Sequence, residues 1–127
     1  MPQKIKIHTN STGYVEAEIN EDKNPETAKA LIDALPFESR VSRWGDEVYF
    51  DIPVNANEEN SQIEVEVGEL AFWPSGSCFC IFFGRTPSSS GDKPAAASPV
   101  NVFGKVLGDA TIFKDTKSGE IIRVEKA

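Results

Sequence analysis

The sequence predicts a mainly β domain, a closed antiparallel barrel of about eight short strands with one or two short helices. Three observations carry that reading. Short stretches of alternating apolar and polar residues recur along the chain, separated by glycine, proline, asparagine and aspartate turn signals. Ala71–Pro87, AFWPSGSCFCIFFGRTP, is the densest apolar segment and has the bulky residues of a largely buried central strand. No crossovers of repeated length separate the strands as a parallel sheet requires, and closure removes edges that such apolar strands otherwise expose.

Taken in order, Lys4–His8 places Ile5 and Ile7 between polar neighbours, Asn10–Gly13 supplies turn chemistry and Tyr14–Ile19 alternates again, which predicts an opening hairpin. Asn24 suits a helix N-cap and Pro25 the first helical position. Ala28, Leu31, Ile32 and Leu35 then form one apolar stripe on a helix that Pro36 ends. Phe37–Trp44 and Glu47–Val54 read as a second hairpin about Gly45-Asp46, with Val48, Phe50 and Ile52 on the core face and Glu47, Tyr49 and Asp51 on the other. Asn55–Gln62, NANEENSQ, has no apolar anchor and reads as a solvated loop.

Ile63, Val65 and Val67 alternate with Glu64 and Glu66, so that strand turns the three apolar residues to the core, and Gly68-Glu69 leads into Leu70–Trp73. Trp73 reads as a core plug. Beyond the central strand, Arg85–Pro99 is the longest stretch without periodicity and the place for a lid or rim. Val100, Val102 and Val106 return to strand, Gly108–Lys114 suits one or two helical turns capped by Asp109, and Glu120–Val124 closes the series.

The chain has 127 residues, the size of one domain spanning 1–127 that buries its core without staples. Thirteen Lys and Arg against twenty Asp and Glu give a formal charge of −7, which disfavours nucleic acid as a partner. No apolar run approaches the ~20 residues of a membrane span, and MPQKIKIHTN contains no apolar signal region. The expectation is a soluble, cytoplasmic protein with no membrane partner. Cys78 and Cys80 share one face of a strand, where they are poorly placed to bridge each other, and the single histidine, His8, lies far away in sequence. No disulfide, metal or cofactor is expected. Ser88–Ser90 has no histidine nearby to act as base, and no glycine-rich phosphate cradle is present.

The motifs together resemble a family. Gly13–Glu18 followed by Asn24–Leu31 is similar to the strand and helix opening of cyclophilins, Ser77–Ile81 to their S-Q-F-F-I strand and Val100–Val106, VNVFGKV, to H-V-V-F-G-K-V. Closer still is a small prokaryotic cyclophilin-like family of unknown function, whose W-G-D-E-x-Y-F, F-W-P-x-G, C-x-F-F-G-x-T-P and S-P-V-N elements stand at Trp44–Phe50, Phe72–Gly76, Cys80–Pro87 and Ser98–Asn101. The resemblance implies a cyclophilin-like fold and raises prolyl isomerisation. It also implies that most of the catalytic set is missing: Cys80 stands at the aromatic floor, Cys78 at the glutamine, Val100 at the histidine, and Ile52 follows Phe50-Asp51 where an arginine is expected. Losing one preorganised donor typically costs roughly 3–4 kcal/mol of transition-state stabilisation.

Replacement cations are sought at Arg40, Arg43 and Arg85, with Trp44, Tyr49 and Phe82 as aromatic neighbours of a groove for a carboxylate or peptide carbonyl. The preferred function is a module that binds a peptide or small molecule. A weak prolyl isomerase with a rebuilt site and a protein-interaction domain are the alternatives.

Overall fold

The computed structural model describes residues 2–127. β1 (Gln3–Thr9) and β2 (Gly13–Ile19) form the expected hairpin, paired from Gln3 opposite Ile19 to Thr9 opposite Gly13. Alternate residues Ile5, Ile7, Val15, Ala17 and Ile19 are buried, as the period of two requires. α1 (Pro25–Ala34) buries Thr27, Ala28 and Leu31. Its N-terminus departs from expectation: the Asn24 side chain does not cap it. Asn24 Nδ2 instead donates to the Val102 carbonyl at 2.8 Å, and Oδ1 accepts from Asn60 N at 2.7 Å.

The cap comes from the segment read as a solvated loop. Glu59 accepts from the N–H groups of Glu26 and Thr27, each at 3.2 Å, and from the Thr27 hydroxyl at 3.1 Å. Those N–H groups lack intrahelical partners, and a carboxylate also complements the helix dipole there. The fully buried Asn101 secures the same loop by accepting from Glu59 N and donating to the Asn57 carbonyl.

The second hairpin is broken differently from the reading. β3 (Phe37–Arg40) pairs not with the following arm but with the C-terminal β10 (Ile121–Lys126); only β4 (Ser42–Arg43) pairs with β5 (Glu47–Asp51). The remaining strands are β6 (Gln62–Glu64), β7 (Glu69–Trp73), β8 (Cys78–Phe82) and β9 (Ala95–Val106). A 3-10 helix, Ala110–Asp115, precedes β10, and Asp109 accepts from Thr111 N at its start as expected.

Antiparallel ladders join ten strands in the order β3-β10-β1-β2-β9-β7-β8-β5-β4, with β6 beside β9. This path is open, so the ladders show a mainly antiparallel sheet without the closure expected of a barrel. Its two end strands follow each other along the chain without pairing. Val41 between them spends its N–H on Glu120 and its carbonyl on Gly119, so no β3–β4 ladder forms there.

β8 is buried along its whole length, but its alternate residues enter different cores. Phe79 and Ile81 belong to the main core, where the Phe79 ring stacks on Phe50 at 4.9 Å and meets Phe103 edge-on at 5.2 Å. Cys78, Cys80 and Phe82 face a smaller second cluster with Val65, Ala71, Ala96, Val100 and Val102. Of the predicted apolar face in β6 and its continuation, only Val65 is buried, whereas Ile63 and Val67 are exposed. β6 has a single neighbour, β9, so it covers the second cluster from one side only. Among the described residues, no helix is long and apolar enough to cross a membrane.

Candidate functional site

The second cluster opens into a pocket, and its mouth is set by the two most distinctive sequence motifs meeting each other. The Trp44–Glu47 turn closes with reciprocal backbone hydrogen bonds of 3.0 and 3.2 Å. Gly45 takes φ 59°, and a Cβ there would stand 2.8 Å from Pro87 Cδ, so both conformation and space demand glycine. Asp46 N donates to the Arg85 carbonyl and Phe83 N to the Asp46 carbonyl, each at 2.9 Å, clamping the turn to the exit of β8. The Thr86 hydroxyl then donates to the Ala95 carbonyl, fixing the start of β9 beside the same turn. Of the expected loop, residues 85–94 are irregular as read, whereas Ala95–Pro99 is already strand.

Trp44, Glu47 and Tyr49 enter the pocket from the turn and β5, Trp73 from β7 and Cys80 from β8. Ala96, Ala97, Ser98 and Val100 of β9 form the opposing wall, and the cavity measures about 160 Å³. Glu47 and Tyr49 share a face because they are two residues apart, and Tyr49 sits opposite Cys80 in the β5–β8 ladder. The Trp73 indole lies over Gly76, where a Cβ would come within 2.5 Å of ring carbons. Its Nε1 is buried and has no hydrogen-bond partner.

Glu47 is only 6 % exposed. Burial pushes its pKa up from 4.5 to about 7, and the Cys80 thiol opposes part of that rise by hydrogen-bonding the carboxyl. The Cys80 thiol is itself driven well above its ordinary range by burial and then by the adjacent Glu47. Burial, followed by hydrogen bonding to Asp51 at 3.3 Å, raises Cys78 to about 12. Both sulfurs thus remain thiols at neutral pH, poor nucleophiles and poor metal ligands. Among the described residues, no three His, Cys, Asp or Glu side chains are grouped to hold a metal ion.

Of the residues singled out in the sequence, Trp44 and Tyr49 line this pocket. Phe82 is completely buried in the cluster beneath it. Arg43 is elsewhere, its guanidinium donating to the carbonyls of Gly45, Lys114 and Thr116 at 3.1, 3.1 and 2.8 Å and lying over the Phe83 ring at 5.1 Å. Arg40 donates to the Gly119 carbonyl, and Arg85 is exposed outside the pocket. Sequence reasoning missed Glu47 and Trp73. Parity had already put Glu47 on the face of Tyr49, and a carboxylate flanked by Trp44 and Tyr49 was the available signal. Trp73 is half-buried in the pocket wall rather than plugging the main core.

The chain matches the cyclophilin-like family model over residues 3–125 and belongs to that family. A solved relative is a hypothetical protein of Archaeoglobus fulgidus, whose solution structure superposes with a TM-score of 0.82 at 41% identity, covering 99% of this chain and 95% of that one. No curated protein matches the sequence.

Proposed function

We propose that this cyclophilin-like domain is a binding module for a small ligand or a protruding side chain, seated between Trp44 and Trp73. The observation that carries this reading is the convergence of four strands on one concave, mostly apolar chamber that holds a buried carboxyl and an unpartnered indole N–H. Buried polar groups are ordinarily satisfied, and a ligand is the natural partner for the carboxyl. Binding is favoured over prolyl isomerisation because the pocket lining contains no arginine among the described residues, and Arg43, the nearest in sequence, has its donors committed to backbone carbonyls. A charge donor aimed at the reacting carbonyl is the largest single contribution such catalysis needs.

The test is a small-molecule screen read by amide and indole NMR shifts, repeated on Ala97→Trp, which fills the exposed rim of the pocket without touching the main core. Ligands that shift the Trp44 and Trp73 indole signals and are lost in Ala97→Trp support the reading. Hits that map elsewhere, or that bind the filled variant equally well, contradict it.

A further inference from the structure

We infer that the ligand is an alkylated ammonium cation, its charge enclosed by the aromatic side chains of Trp44, Tyr49 and Trp73 and balanced by the Glu47 carboxylate. This rests on the pocket being the binding site and goes on to name the chemistry it selects. Aromatic faces attract cations through their quadrupoles, most strongly where water is excluded, and tryptophan does so best. Here two indoles and a phenol line one cavity with a single acidic group, and no basic side chain lines it among the described residues. An anionic ligand would therefore meet only repulsion from Glu47.

The degree of alkylation follows from the scarcity of acceptors. A primary ammonium is compact, strongly hydrated and presents three N–H donors. Besides Glu47, the lining side chains offer only the Ser98 and Tyr49 hydroxyls as oxygen acceptors. A quaternary or tertiary nitrogen spreads its charge over methyl groups that pack on rings and on Ala96, Ala97 and Val100. The cavity, about 160 Å³, has room for a trimethylammonium head.

A quaternary nitrogen does not titrate, so any pH dependence of its binding reports on the protein. The titratable groups facing Glu47 are Tyr49 on its own strand and Cys80 and Cys78 on β8, with Asp51 held against Cys78. The two thiols stay protonated at neutral pH, leaving the carboxyl as the group that changes charge around pH 7.

The experiment titrates the protein with choline and with the uncharged alcohol in which carbon replaces its quaternary nitrogen, following the Trp44 and Trp73 indole signals. Choline is expected to bind roughly tenfold or more tightly than the carbon analogue. Its affinity should rise as pH increases through about 7 and level off above, while that of the analogue stays flat. Glu47→Gln should abolish the preference, and the pH profile tests the same point on the unaltered protein. Equal affinity for the two compounds, or a preference that survives Glu47→Gln with no pH dependence, overturns the cation assignment while leaving the pocket as a binding site. Silence towards both compounds overturns the assignment too; the pocket reading falls with it only if the broader screen also finds no ligand there.

Discussion

The carboxyl of Glu47 meets the thiol of Cys80 in the pocket between β5 and β8, two buried acids of which the carboxyl raises the thiol's pKa while the thiol lowers the carboxyl's. Hydrogen bonding between them favours the charged carboxylate, but desolvation outweighs it, so Glu47 holds its proton close to neutrality.

The first prediction follows by linkage. Between pH 4.5 and about 7 the folded protein keeps a proton on Glu47 that the unfolded chain releases, so stability falls as pH rises through this window. Above it the penalty is complete, on the order of 3 kcal/mol for a shift of this size. Glu47→Gln escapes it. In urea denaturation the variant should gain on the wild type between pH 4.5 and pH 8, by up to ~3 kcal/mol. A difference between the two proteins that does not change with pH would contradict this.

The two cysteines should be inert in the folded state. Alkylation requires the thiolate, and both thiols are buried with raised pKa values. Iodoacetamide at pH 8 should label Cys78 and Cys80 only after denaturation, as read by intact mass. Rapid labelling of the native protein at either position would show the second cluster to be open.

The loop that caps α1 should carry measurable stability. Glu59→Ala removes the acceptor for the N–H groups of Glu26 and Thr27 and should cost about 1 kcal/mol, the usual worth of a helix cap. Asn101→Ala should cost more, roughly 2–3 kcal/mol, because it removes three hydrogen bonds of one fully buried side chain at once, those to Thr27, Asn57 and Glu59. Chemical denaturation of both variants checks the order, and the reverse ranking would mean that Asn101 does not secure the loop.

Two glycines should separate stability from binding. A Cβ at Gly104 would run into the backbone carbonyl of Glu18 on β2, so Gly104→Ala should destabilise the whole fold by ~3 kcal/mol or more. At Gly76 the obstacle is the Trp73 indole, a side chain that forms the pocket wall. Gly76→Ala should displace that ring and weaken ligand binding while costing less global stability. Thermal melts and the indole spectrum distinguish the two cases, and a Trp73 signal unmoved in Gly76→Ala would contradict the packing described.

Much of the fold was legible because burial imposes a period on short strands. The alternation in Lys4–His8 and Tyr14–Ile19 located the first hairpin, and the i, i+3, i+4, i+7 stripe located α1. Alternation does not name a partner, however, so Phe37–Arg40 could be read as a strand yet not as the neighbour of β10, more than eighty residues away. The helix cap was illegible for the same reason: Glu59 reaches Glu26 through tertiary contacts that composition does not encode. Ile63 and Val67 show the converse, a strand pattern on a segment without a second layer to bury it.

The site was half legible. Trp44 and Tyr49 were found from the turn motif and from strand parity, but the three arginines were chosen for the charge that isomerisation demands, and the folded chain places none of them in the pocket. The charge there is a carboxyl. Glu47 appeared to face water because one side of β5 was assigned to the core, whereas this part of the sheet is covered on both sides.

The most direct test of this account is the carboxyl titration of Glu47 by carbon-detected NMR in the free protein. A midpoint near 7 is the result expected of an ionisable group enclosed by Trp44, Tyr49 and Trp73. A midpoint near the ordinary 4.5 would show the carboxylate to be solvated, and the enclosed pocket on which both the proposed function and the cation assignment rest would be gone.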